Sequence, residues 1–397
     1  MPDLDPVVIA SAVRTPLGRF RGELAAVPAP ELGAQVIRAA VERVGLAPDA
    51  VSEVLMGCVL PAGLGQAPAR QAARLAGLAD AVGATTVNKV CGSGMKALML
   101  GRDLIAAGSA DIVVAGGMEV MSGAPYLLAK ARIGYGAGHD RLIDHMMLDG
   151  LEDAYEGGRA MGTFGEDTAE RYQFTREAQD AYAIETLRRA RAAVETGAFG
   201  KETIPVTVRG PKGAEQVVAR DELPLKLDAA KIPTLKPAFR AGGTVTAASS
   251  SANADGAAAL VIMRASEAER RGLTPLARIV GHATHSQDPA WFTTAPIGAV
   301  GKLMDKVGWR TRDVDLFEIN EAFAVVVMAA MRDLDIGHDR INIHGGACAL
   351  GHPIGATGAR LVVTLLHALE QRGASRGVAS LCIGGGEATA IAVERLA

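Results

Sequence analysis

Nothing in this chain of 397 residues runs for about 18 residues without a polar or charged interruption, so the apolar length a membrane-spanning helix needs is missing. Cysteine is scarce. Cys58, Cys91, Cys348 and Cys382 are too few for a disulfide framework and lack the close pairs of a zinc site, so they are read as thiols. Neither sign of charge prevails: 41 Lys and Arg stand against 44 Asp and Glu, a formal charge of −3, with no block of like charge. Nucleic acid and membrane surfaces are therefore not expected partners. The opening MPDLDPVVIASAVRTP lacks a basic start followed by an apolar core and a small-residue cleavage site. No secretory signal is expected, and the cytosol is the expected compartment. With 47 glycines and 18 prolines the chain falls below low-complexity composition. What remains is a globular protein of a length suited to two or three domains.

Short β-branched runs alternate with longer Ala/Leu-rich runs, the pattern of parallel strands joined by crossover helices, so the class is α/β. In the first part the spacing predicts strands at 6–11, 53–59, 85–90 and 111–117 and helices over 30–44, near 67–76 and over 94–108. The 94–108 helix is apolar nearly all round and should lie in the middle of the protein. The C-terminal part repeats the plan: strands at 276–284, 315–319, 340–344 and 378–386, with helices near 297–308, from about 322 and over 355–371. GSADIVVAGGMEVM and GASRGVASLCIGGGEATAIAV close the two parts alike, which points to two copies of one unit. Between them, residues 124–251 are richer in charge and read as an insertion. That insertion has an amphipathic helix over 175–197, started by Thr175 and ended by Gly197. The expected division is 1–123 with 252–272, the insertion 124–251, and 273–397.

Four motifs carry candidate chemistry. VNKVCGSGMKAL sets Cys91 between a strand end and a helix start, where backbone N–H groups and the positive end of the helix dipole lower a thiol pKa. There it reads as a nucleophile or as a buried structural thiol. GGACALGHPIGATGAR holds His352 in irregular backbone, a place for a general base or donor. CIGGG puts Cys382 at a strand end beside glycine amides able to receive an oxyanion. INEAFA places Asn320 at a strand-to-helix junction, where it would cap a helix or orient a water, with Glu321 at the helix start. A metal held by Cys348, His352 and Cys382 is the weaker reading, since no close ligand pair is present. The basic run 226–240 is a solvated loop or a phosphate contact.

Taken together, VCGSGMKA, NEAFA, GGACALGHPIGATG and CIGGG, with VIASAVRTPLGRF and GGTVTAASSSANADGAAA, resemble the thiolase family over essentially the whole chain. The resemblance is to its acetyl-CoA acetyltransferases in particular. It implies a five-layered α-β-α-β-α fold of two similar halves with an inserted loop domain. It also implies that Cys91 accepts an acyl group while His352 takes the thiol proton, and that Cys382 removes an α-proton from a second acetyl-CoA. His352 and a water held by Asn320 would meet one oxyanion, and the N–H groups of Cys91 and Gly384 the other. Met161, Phe239, Ala247, Ser251, Ala322 and Phe323 match positions lining the coenzyme A and acyl pocket. No metal or cofactor is implied beyond coenzyme A thioester as substrate. The expected partners are acetyl-CoA, CoA, short 3-ketoacyl-CoA and further copies of the chain, as a dimer or tetramer. Where biosynthetic members have His-Met-Gly and a methionine, this chain has Ala160-Met161-Gly162 and Phe292. The alternatives are a broad-range degradative 3-ketoacyl-CoA thiolase and a catalytically silent acyl-CoA or lipid-binding relative.

Overall fold

The computed structural model describes residues 5–209 and 214–396; the first four residues of the opening segment read above lie outside them. Strands β1 (Val7–Arg14), β2 (Glu53–Gly57), β3 (Gly83–Val87) and β4 (Ile112–Val120) alternate with helices α1 (Ala29–Arg43), α2 (Pro68–Leu75) and α3 (Ser93–Ala106). Helices α4 (Met161–Tyr172) and α5 (Arg176–Thr196) follow, and then β5 (Ala254–Arg264). The remainder is β6 (Ala277–Ser286), α6 (Ala295–Val307), β7 (Leu316–Ile319), α7 (Ala324–Leu334), α8 (Ile354–Arg372), β8 (Arg376–Ile383) and β9 (Glu387–Arg395).

The nine strands join in the order β3-β2-β4-β5-β1-β6-β9-β8-β7. Outward from the β1–β6 contact, the two sides have one plan. In each, the first strand lies antiparallel to the last, the last antiparallel to the strand just before it in the chain, and that one parallel to the second. This shared plan is what duplication of one unit produces. The sheet is thus mixed and not purely parallel as the run pattern implied. Strand β9 follows β8 with no helix between them, so it cannot run parallel to that neighbour, and β5, though it returns only after the insertion, lies antiparallel to β4 in the same way. Both escaped the sequence reading because ADGAAALVIMR and EATAIAVER are Ala-rich and lack strand alternation. They are buried along most of their length, where alternation is not needed.

Three apolar clusters build the layers. One lies between the first sheet half and α1 and α2, another surrounds α3 and α8 between the halves, and a third lies under α6 and α7. Helix–sheet–helix–sheet–helix is the five-layered arrangement. The two inner helices touch backbone to backbone: a Cβ on Gly94 would stand 2.9 Å from the Ala359 nitrogen, and one on Gly358 3.0 Å from Met95 Cα. Helix α8 is buried from Ile354 to Leu369, and Met95, Leu98 and Met99 of α3 are buried as expected. Thr175 caps α5 by accepting from the Ala178 N–H at 3.2 Å.

Two elements differ from expectation near the site. Strand β3 stops at Val87 because the chain turns before Cys91. The segment 340–344 forms no strand, only a bridge between Phe317 and Ile341, since Asn342 has φ +45° and spends its side chain on both backbone groups of Ile319.

Candidate active site

The turn into α3 is strained where the sulfur is presented. Val90, a β-branched residue, has φ +45°, a conformation such residues adopt only under outside constraint. Ser93 supplies it: its hydroxyl donates to the Val90 carbonyl at 2.6 Å and accepts from the Lys89 N–H at 2.8 Å. Gly92 lies so close to Ile383 at the end of β8 that a side chain there would collide with it. Cys91 is thereby half-buried against the glycine turn after Cys382, with the Gly384 N–H and its own N–H directed at its sulfur. It packs in an apolar cluster with Ile354, Met146 and Met147. The two thiols are close enough that charge on Cys91 raises Cys382, and both are free thiols.

His352 sits just before α8. Its Nδ1 lies 2.6 Å from the Thr357 hydroxyl, which itself donates to the Pro353 carbonyl at 3.0 Å. That hydroxyl proton being used, Thr357 must accept, so Nδ1 carries the imidazole hydrogen and Nε2 is the bare nitrogen. Nε2 is buried without a partner among the described residues, and so are both amide atoms of Asn320. Asn320 is tied to the strand of Cys382 by its own N–H donating to the Ser380 carbonyl at 3.0 Å. It caps nothing: α7 begins at Ala324, after Phe323, so neither the N-cap reading nor a helical Glu321 holds. The side chain is left available instead.

Around Cys382 stand Phe164, Phe292, Ala322, Phe323, Val245 and Val326, with Met161 and Phe239 half-buried beside them. Phe164 meets Phe292 edge-on at 5.7 Å, and Phe239 meets Phe323 at 5.9 Å. Met161 Sδ lies 3.5 Å from where a Cβ on Gly384 would be. Of the six predicted lining residues, Met161, Phe239, Ala322 and Phe323 therefore gather at Cys382. Ala247 lies elsewhere, in a cleft of about 330 Å³ that also has Lys226, Lys231, Leu227, Ala252 and Cys348 on its walls. Ser251 runs between the two, its N–H donating to the Ala322 carbonyl at 2.9 Å. Arg240, the last basic residue of the 226–240 run, is turned away and pairs with Asp167. Phe164, Val245 and Thr357 were invisible in the sequence because nothing local marks them. Among the described residues no three His, Cys, Asp or Glu side chains converge as a metal site.

Burial reverses the charge state expected for Cys91. Loss of solvent raises the Cys91 thiol to about 11, outweighing the Gly384 and Cys91 N–H groups that lower it. Burial likewise holds Cys382 well above its ordinary value, and lowers His352 to about 3 with help from Arg360. Near neutral pH both thiols keep their protons and the imidazole is neutral. Alkylation of Cys91 by iodoacetamide should then climb about tenfold per pH unit from pH 7 to 10, as the thiolate fraction does. A plateau beginning below pH 9, followed by peptide mapping, would show that the thiol ionises in the ordinary range.

Two similar sheet halves sandwiching paired helices, with thiols at the ends of α3 and β8, define a thiolase-like fold. The chain matches the thiolase N-terminal domain over residues 7–266 and the thiolase C-terminal domain over residues 273–395, and it belongs to the thiolase family. It is 50% identical to an acetyl-CoA acetyltransferase of Cupriavidus necator, over 98% of this chain and 99% of that one. It is 48% identical to a probable acetyl-CoA acetyltransferase of Dictyostelium discoideum, over 99% and 95%. Among solved structures, the Bacillus anthracis acetyl-CoA acetyltransferase superposes with a TM-score of 0.96 at 41% identity, over 99% of each chain. The Acat5 thiolase of Ascaris suum in complex with coenzyme A gives 0.93 at 42%, over 98% and 100%.

Proposed function

We propose that the chain catalyses reversible condensation of two acetyl-CoA molecules to acetoacetyl-CoA and CoA, with Cys91 as acyl carrier. Two thiols brought to one point, with the Gly384 and Cys91 N–H groups beside the sulfur, is the observation that carries this reading. In the first half-reaction the Cys91 proton passes to His352 Nε2, and sulfur attacks the thioester carbonyl, whose oxygen is met by those N–H groups. The carbon–sulfur bond to CoA breaks, and Cys382 protonates the leaving CoA. In the second, the Cys382 thiolate removes an α-proton from a new acetyl-CoA. Its oxygen takes the charge against the His352 N–H and a water held by Asn320. The enolate carbon then attacks the acetyl group, and Cys91 leaves and recovers its proton from His352. The proton count closes from both thiols protonated and the imidazole neutral, the state that burial favours.

Mass spectrometry after brief mixing with acetyl-CoA should find an acetyl group on Cys91. Its absence there leaves only the binding-protein reading. Four aromatic rings near Cys382 support short acyl groups over the broad-range degradative alternative. Turnover on four-carbon against longer ketoacyl-CoAs at saturating CoA tests this, a long-chain preference overturning it. Lys226 and Lys231 on the Ala247 cleft suit the phosphates of CoA.

Residues 1–123 with 252–272 and residues 273–397 are taken as the two halves, and 124–251 as the insertion, in keeping with the shared strand plan. Self-assembly is supported by Tyr126, Leu128, Ile133, Leu142 and Tyr155, all exposed on that insertion. A dimer or tetramer is the expected mass by light scattering. Free thiols fit a reducing cytosol. No helix among the described residues is long and apolar enough to cross a membrane.

A further inference from the structure

Glu321 follows Asn320 directly and is fully buried, yet the reaction above gives it nothing to do. Its carboxylate accepts four kinds of donor. Tyr182 Oη lies at 2.8 Å and Thr186 Oγ1 at 2.8 Å, both from α5 in the insertion. Asn342 Nδ2 lies at 3.1 Å, and the Cys348 N–H, in the turn leading to His352, at 3.1 Å. Thr186 also accepts from the Gly346 N–H at 2.8 Å. Gly346 approaches so closely that any Cβ there would collide with the carboxylate. One acidic group thus ties together the Asn320 turn, the His352 turn and the inserted helix.

We propose that Glu321 is a positioning residue for the condensation half-reaction, acting through Asn320; this rests on the function proposed above. Its effect should be uneven for a structural reason. His352 has other anchors: its N–H donates to the Ala252 carbonyl at 2.8 Å and its ring to Thr357. The Asn320 amide has no protein partner among the described residues, so its aim depends on the backbone turn that Glu321 anchors. A carboxylate is required because each of its oxygens faces a group that can only donate. Asn342 Nδ2 faces Oε1, and the Cys348 N–H faces Oε2. A glutamine of the same shape would oppose N–H to N–H in either orientation.

The test is Glu321→Gln, with folding checked by circular dichroism. Condensation turnover should fall about 100-fold, the scale of a misplaced reacting group, while rapid-quench mass spectrometry finds Cys91 acetylation near the unsubstituted rate. In an Asn320→Ala background, adding Glu321→Gln should cost no more than about twofold further, because residues acting as one unit are not additive. Equal loss of both half-reactions in a folded variant, or fully additive losses, overturns the proposal. If Glu321→Gln does not fold, Tyr182→Phe removes one donor and should show the same coupling to Asn320→Ala at smaller size; additivity there overturns it equally. Failure of the unsubstituted protein to acetylate Cys91 is a separate result and defeats the underlying function instead.

Discussion

Cys91→Ala should abolish both half-reactions, whereas Cys382→Ala should leave Cys91 able to take up an acetyl group and lose only carbon–carbon bond formation. The asymmetry follows from the acidity of the two leaving protons. A CoA thiolate is a good leaving group, and water can protonate it when Cys382 is gone. The methyl of a thioester is a weak carbon acid, and the side chains of Phe164, Phe292, Phe323 and Val326 that cluster with Cys382 offer no substitute base. Loss of a covalent nucleophile in comparable sites costs about 10⁶-fold in turnover, so condensation should fall to background in both variants. Acetyl incorporation at Cys91, followed by intact-protein mass spectrometry, separates them. If Cys382→Ala blocks acetylation as completely as Cys91→Ala, the division of labour between the thiols is wrong.

Gly117→Ala should be strongly damaging for a single added methyl. Its Cβ would fall onto the Gly355 carbonyl oxygen and stand 2.8 Å from Ala356 Cα. Both belong to the first turn of α8, just after His352. Gly57 and Gly94 face the same carbonyl, and Glu119 clamps the Gly355 N–H from the other side at 2.9 Å. Backbone packed on backbone has no rotamer with which to yield. A cost of about 3 kcal/mol is expected, seen as a lower thermal midpoint, together with a fall of about 100-fold in turnover as His352 shifts. Gly301→Ala is the contrast: it lies within α6 with nothing near its would-be Cβ. There alanine should stabilise by about 0.5–1 kcal/mol. If Gly117→Ala unfolds no earlier than Gly301→Ala, the close approach of β4 and α8 is not what holds this part of the site.

Much of the framework was legible from pattern. The all-round apolar 94–108 run read as a central helix, and α3 lies between the sheets. The matching closing segments read as duplication, and the two sheet halves have one strand plan. The motif residues Cys91, His352, Asn320 and Cys382 stood out because glycines and junctions surround them. Less legible were elements whose character depends on partners. The 254–264 strand is alanine-rich because both its faces are covered, and the strand ending at Val87 stops early because Ser93 and Ile383 bend the chain at Val90. Glu321 was read as the start of a helix, since nothing nearby in sequence reveals the donors that reach it from Tyr182, Asn342 and Cys348.

Composition and periodicity alone were enough to establish an α/β chain in two related halves and to mark four chemically reactive positions, because apolar spacing and glycine placement act over a few residues. The charge those positions carry was settled elsewhere. A helix start favours a thiolate at Cys91, yet chain segments hundreds of residues apart close over the sulfur and remove the water that would solvate it. Desolvation depends on everything that surrounds a group, so neither the protonated thiols nor the bare imidazole nitrogen could be foreseen from the residues next to them.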